Sequence, residues 1–139
     1  MAYWLMKSEP AAYGWDDLVR DGGTEWDGVR NNAATLHLKA MEAGDRAFLY
    51  HSMSDKAVVG IMQIVRAARP DAKAKEGERW VSVRVEPVAP LPRPVTLAQI
   101  KAEPRLANME LIRQSRLSVA PVREEEWALI LEMAAQPAS

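Results

Sequence analysis

Arg46-Ala-Phe-Leu-Tyr-His-Ser52 decides how this chain is read, because its apolar residues fall on both faces of the strand it would form. A strand apolar on both sides belongs inside a sheet, with something packed over each face. Working outward, Val58 to Val65 is a second such strand, and Gly60 within it marks a bulge or a close approach by another segment. Trp80 to Glu86 alternates instead: Val81, Val83 and Val85 turn inward, while Trp80, Ser82, Arg84 and Glu86 turn outward. A Trp on the polar side of a strand needs cover from a neighbouring loop. Tyr3 to Lys7 is a short strand ended at Ser8-Glu9-Pro10, and Leu117-Ser-Val119 is another.

Helical spacing fills much of the remainder. Trp15, Leu18 and Val19 recur as one helical face, closed by Gly22-Gly23. Ala33 to Glu42 is a largely buried helix, with Leu36 and Ala40 on one side, Leu38 and Met41 beside them, and Gly44-Asp45 after it. Asp71 to Arg79 is a charged loop. Pro87 to Pro94 holds four prolines and is expected to be an extended connector. Thr96-Leu-Ala-Gln99 is a capping box, and Pro104 suits the first turn of a helix whose apolar side is Leu106, Met109 and Ile112. The last helix carries Glu124, Glu125 and Glu126 in its first turn, where the helix dipole favours them, and buries Trp127, Ile130, Leu131 and Ala134. Five or six short strands among helices, without regular βαβ alternation, point to an α+β fold. A small barrel with helices at its ends fits this order best, as a single domain over residues 1–139.

Composition narrows function. The 139 residues are enough to bury a real core. Charge sums to 18 − 19 = −1, so there is no bulk basic field, and any nucleic acid must be held by a local site. There is no Cys, no apolar run near the ~20 residues that span a bilayer, and no signal-peptide pattern before Tyr3. The expectation is a soluble cytoplasmic monomer without a membrane partner, nuclear in a eukaryotic setting.

Chemistry concentrates in Trp26-Asp-Gly-Val-Arg-Asn-Asn32. An indole, a glycine hinge, a guanidinium and two amides are parts for holding a flat ligand with polar edges, such as a nucleobase. They are equally parts of a structural turn, in which Trp26 plugs the core, Gly28 turns the chain and an Asn caps the next helix. Enzyme readings fare worse. His51 and Ser52 are strand neighbours and point to opposite faces, so they cannot pair as base and nucleophile. His37 and His51 stand in no metal-ligand spacing, and neither standard phosphate-cradling glycine loop occurs. Nothing brings Glu9 and Asp27 together as a carboxylate pair. Arg30, Arg113 and Arg116 lie at the ends of elements, where guanidinium forks could meet phosphate.

The order of motifs adds to this. Lys7-Ser-Glu-Pro10, Trp26-Asp-Gly-Val-Arg-Asn31, Tyr50-His-Ser52 and Arg113-Gln-Ser-Arg116-Leu-Ser-Val119 resemble the EVE domain family, across Tyr3 to about Met133. That family is similar in fold to PUA domains, which implies a mixed pseudo-barrel of about five to six strands flanked by short helices. The resemblance implies a non-catalytic module that reads a modified nucleobase, a C5-modified cytosine in DNA or a modified RNA base. The base would be flipped out or in a single strand, and no cofactor or metal is called for. Trp26 and Val29 would give apolar contact, Asn31, Ser8 or Glu9 would read the polar edge, and His51 and Ser52 would line the floor. Leu117 and Ser118 complete the base-contacting set, and Lys7, Arg30, Arg113 and Arg116 would meet phosphate. Two departures stand out: Asn32 occupies a position often aromatic in the family, and the loop before Trp80 is short and rich in Lys and Glu. The rival readings are a small nucleotide-acting enzyme, or a protein-interaction adaptor working through Trp80 or the acidic last helix.

Overall fold

Residues 46–51 form the strand that their two-faced apolarity predicts, inside a six-stranded mixed sheet. The computed structural model describes residues 1–53 and 55–136. In chain order it runs β1 (Tyr3–Ser8), α1 (Trp15–Asp21), β2 (Thr24–Trp26), α2 (Asn32–Ala40), β3 (Arg46–His51), β4 (Ala57–Pro70) and β5 (Val81–Thr96). There follow α3 (Leu97–Ala102), a 3-10 turn (Pro104–Leu106), α4 (Glu110–Arg113), β6 (Val119–Val122) and α5 (Glu124–Ala135). The strand order is β2-β5-β4-β3-β1-β6. β1 pairs in parallel with β3 and antiparallel with β6, and β3, β4 and β5 follow one another antiparallel.

Alternation along the strands makes two cores. On one face Trp4, Met6, Leu49, Met62, Ile64 and Val83 pack with Leu18 of α1, Leu38 of α2, and Trp26. On the other, Leu5, Phe48 and Val58 pack with Ile100, Leu106, Met109 and Ile130. There the Trp127 ring stacks on Phe48 at 3.8 Å between centroids and on Tyr3 at 4.4 Å. Trp4 Nε1, in the first of these cores, donates to Asp45 Oδ2 at 3.0 Å. Burial would raise the Asp45 carboxyl, but the Glu42 amide, the Trp4 indole and the Ala2 amide outweigh this and hold it below the usual carboxylate range.

Several expectations are corrected. No ladder joins β2 to β6 among the described residues, so the sheet is open and the barrel is not closed. β2 is only three residues long and ends where the chain leaves the sheet after Trp26. Pro87 to Pro94 is no connector but the second half of β5, with Pro87 opposite Met62 and Pro90 opposite Gly60. β2 covers β5 only at Val83, Arg84 and Val85. Beyond them β5 has one sheet neighbour, and a proline lacking N–H is tolerated on such an edge. Leu36 is exposed, because α2 turns Ala34, Thr35 and Leu38 inward instead; Val19 is exposed on α1. Pro104 opens a single 3-10 turn, and the strand expected at Leu117–Val119 begins only at Val119.

Gly60 is both things its position allows. The ladder slips between Val58 and Gly60, and a Cβ at Gly60 would lie 2.4 Å from Cζ3 of Trp15. The indole of α1 therefore lies flush against the β4 backbone, which fixes that helix beside the site described next.

Candidate functional site

The carboxyl end of β1, the end of β2 and the turn after β2 border an open cavity of about 860 Å3. Its wall takes Lys7 and Ser8 from β1, Tyr13 and Asp21 from around α1, and Thr24 to Arg30 from β2 and its turn. Ser118, Lys73 and Arg84 also line it. The Lys7 amide donates to the Ser118 carbonyl at 2.9 Å, and Ser8 Oγ donates to the Tyr13 carbonyl at 2.6 Å, so three separate segments are tied together at the mouth.

The turn that carries Val29 and Arg30 is held by a residue far along the chain. Asp71, with no side-chain exposure, accepts from the Gly28 amide and from Arg30 Nη1, both at 2.9 Å, through Oδ2. Its Oδ1 accepts from the Lys73 amide at 2.7 Å. Gly28 has φ of 77°, a left-handed backbone that glycine adopts without strain, and this aims its N–H at the carboxylate. Burial would raise the Asp71 carboxyl. The Gly28 and Lys73 amides and the Arg30 guanidinium outweigh it and hold the group ionised, below the usual range. The clamp joins the Trp26–Asn31 turn to the 71–80 loop.

Charge around the cavity is paired in an uneven way. Glu25 accepts from Arg66 Nη1 at 2.7 and 2.9 Å and lies 3.8 Å from Arg69 and 3.7 Å from Arg84. Burial pushes the Glu25 carboxyl up, and Arg66, Ser82 and Arg69 bring it below its ordinary value. One carboxylate thus serves three guanidinium groups, leaving that flank cationic. Lys7 is half-buried, donates from Nζ to the Ser115 carbonyl at 2.7 Å, and lies 5.8 Å over the Tyr50 ring. Its burial pushes the amine below its ordinary range. Tyr13 donates to Asp21 Oδ2 at 2.9 Å, and burial followed by that bond raises its phenol. Asp27 pairs with Lys73 at 3.3 Å.

Of the residues singled out in the sequence, Lys7, Ser8, Trp26, Val29, Arg30 and Ser118 meet in this cavity. Trp26 is 9% exposed and packs in the core, so it offers the cavity a margin and not a whole ring face. Asn31 and Leu117 line an adjoining recess of about 360 Å3 with Arg116. Asn31 Oδ1 also caps α2 by accepting from the Ala34 amide at 2.9 Å. Both meanings of the Trp26–Asn32 stretch therefore hold together: it plugs, turns and caps, and it borders a void.

Glu9 is exposed and lines neither space. His51 is buried behind the wall. Its Nε2 accepts from the Trp15 amide at 3.1 Å, so Nδ1 carries the proton and lies 3.1 Å from Asp55 Oδ2. Ser52 donates its amide to the Ser8 carbonyl at 2.9 Å and is absent from the lining. Arg113 pairs with Glu110 at 3.5 Å on the exposed side of α4. Sequence reading passed over Tyr13, Asp21, Glu25, Asp71, Lys73 and Arg84. Arg84 alone had a local signal, since strand alternation turned it away from the core. His37 is half-buried beside Trp4, at 6.0 Å between ring centroids, and burial lowers its pKa.

Among the described residues no helix is long and apolar enough to cross a membrane. The model of the EVE domain family matches residues 2–133. Human thymocyte nuclear protein 1 is 32% identical over 95% of this chain and 73% of its own length. Among solved structures, Rpa0253 from Rhodopseudomonas palustris is 50% identical with a TM-score of 0.92, covering 100% of this chain and 97% of its own. Human THYN1 protein in complex with 5-methylcytosine-containing DNA is 32% identical with a TM-score of 0.92, over 99% of this chain and 100% of its own. A Zymomonas mobilis ASCH protein, 16% identical with a TM-score of 0.61, shares the fold. With a family match over nearly its whole length, the chain belongs to the EVE domain family.

Proposed function

We propose that this chain is a non-catalytic nucleic-acid-binding module that takes a modified base, a C5-modified cytosine in DNA, into the cavity between β1, β2 and the Asp71-clamped turn. The observation that carries the reading is the composition of that one cavity. Apolar Trp26 and Val29 stand beside Ser8, Ser118 and Asp27, and Lys7, Arg30, Lys73 and Arg84 supply cations around them. Support also comes from a relative of the same fold whose structure holds DNA containing 5-methylcytosine.

The base leaves its stack at a cost of a few kcal/mol. Its exocyclic amine suits a carboxylate acceptor, and Asp27 is the one the clamped turn presents. Arg30 Nη1 is committed to Asp71 and to the Val29 carbonyl, so the other side of the guanidinium meets phosphate together with Lys7 and Lys73. Burying a methyl against apolar wall contributes about 0.8 kcal/mol, roughly fourfold in affinity. A preference much larger than that requires exclusion of the wrong shape as well.

Fluorescence polarisation with a labelled single strand carrying one 5-methylcytosine, against the same strand with cytosine, tests this reading. The methylated strand binds more tightly, and Lys7→Gln and Asp27→Asn weaken it. Equal affinity for both strands, unchanged in both variants, overturns the proposal; an RNA strand with 5-methylcytosine separates DNA from RNA.

A further inference from the structure

A second, smaller groove of about 350 Å3 lies between α2 and the 77–80 loop. One face of α2 lines it through Asn32, Thr35, Leu36 and Lys39, which recur at helical spacing, and Arg79 and Trp80 line the other side. Several features here have no structural use. Leu36 is 67% exposed on a helix whose other leucine, Leu38, is fully buried. Trp80 keeps part of its indole open, although its Nε1 is occupied by Glu78 Oε2 at 3.1 Å. Thr35, 5% exposed on the groove wall, has a buried hydroxyl without a hydrogen-bond partner among the described residues.

The groove is continuous with the base cavity through one side chain. Arg30 lines the cavity, and its guanidinium carbon lies 5.5 Å from the centroid of the Trp80 ring that lines the groove. A ligand running from one space to the other passes a cation at the junction, with Lys39 and Arg79 beyond it. That arrangement is complementary to a phosphodiester followed by a flat ring.

Resting on the base-pocket reading, we infer that the nucleotide next to the flipped base stacks on Trp80 in the groove between α2 and the 77–80 loop. Its linking phosphate is held at Arg30. Aromatic stacking tolerates any base because every base has a π-face, so this subsite adds affinity and strand direction without adding sequence preference. Leu36 supplies the opposing apolar wall.

Binding of 5-methyl-deoxycytidine monophosphate is compared with that of trinucleotides carrying 5-methylcytosine at the first, middle or last position, by calorimetry. The trinucleotides that place a neighbour on the groove side gain about 5- to 150-fold over the mononucleotide. Trp80→Ala and Leu36→Asp remove that gain, Trp80→Phe keeps most of it, and Leu36→Asp, on an exposed helix position, leaves mononucleotide affinity unchanged. If the mononucleotide binds and length adds nothing, or the gain survives both variants, the groove is not a subsite and the inference falls alone. If neither the mononucleotide nor any trinucleotide binds, the base-pocket reading fails and this inference falls with it.

Discussion

Replacing Asp71 by Asn keeps its shape and tests whether the site is built by the clamp. The amide oxygen can stay where Oδ2 is and continue to accept from Gly28 and Arg30, which costs least. The amide NH2 then faces the Lys73 N–H, a donor against a donor, in a site with no exposure. Leaving a buried donor unmade costs about 1–3 kcal/mol, and a hydrogen bond loses roughly half its strength when its acceptor loses charge. The Arg30 side chain is 36% exposed, so water replaces part of what it loses. The sum is about 2–4 kcal/mol of stability, or about 6 to 16 °C in melting temperature for a domain of this size.

The pH dependence carries the sharper test. The folded Asp71 carboxyl titrates below its unfolded value, so the stability it contributes is complete above about pH 4 and is lost as pH falls through the lower, folded pKa. Urea unfolding of both proteins between about pH 3 and pH 7 therefore gives a difference that is flat from about pH 7 to pH 5 and shrinks below about pH 4. Asp27→Asn, which loses only the pair with a well-exposed Lys73, serves as the control and shifts stability by no more than about 0.5 kcal/mol. An Asn variant as stable as wild type at neutral pH, or a difference unchanged at pH 3, refutes the clamp.

Trp26→Ala removes a core side chain and costs about 3–5 kcal/mol; unfolding in urea measures it, and lost ligand binding in that variant reports lost folding first. Gly60→Ala drives a methyl into the Trp15 ring, with an expected cost of about 1–3 kcal/mol. Trp15→Leu in the same chain recovers part of it, and a double-mutant thermal-melt cycle with no coupling disproves the contact. Glu25→Gln releases Arg66, Arg69 and Arg84 from their shared carboxylate, so affinity for unmodified single-stranded DNA rises and its salt dependence steepens by about one charge. A salt titration by polarisation reads this directly.

What the sequence could disclose followed the range of each interaction. The Thr96–Gln99 box formed as written, with Gln99 N donating to Thr96 Oγ1 at 3.1 Å and Thr96 N to Gln99 Oε1 at 2.9 Å, because both halves lie within one turn. Gly22 closed α1 for the same reason, through its amide to the Leu18 carbonyl. Leu36 could not be placed that way. A helix with Ala34, Leu36, Leu38, Ala40 and Met41 offers two apolar sides, and only the sheet decides which is buried. The prolines of β5 misled in the same manner, since their tolerance depends on where β2 stops covering the strand.

Asp71 shows why the site was harder to see than the fold. It follows Pro70 in a run where its neighbours Ala72, Lys73, Lys75, Glu76 and Glu78 are all exposed. Nothing local separates the one carboxylate that is buried from those that are solvated. Its partners are 41 and 43 residues away, at Arg30 and Gly28. Yet that single residue explains how Trp26-Asp-Gly-Val-Arg30 can both plug a core and border a void. The indole is fixed by packing and the following turn by the carboxylate, so each half of the stretch has its own anchor. The same tie brings Trp80 under Arg30, so the base cavity and the groove beside α2 depend on one buried charge.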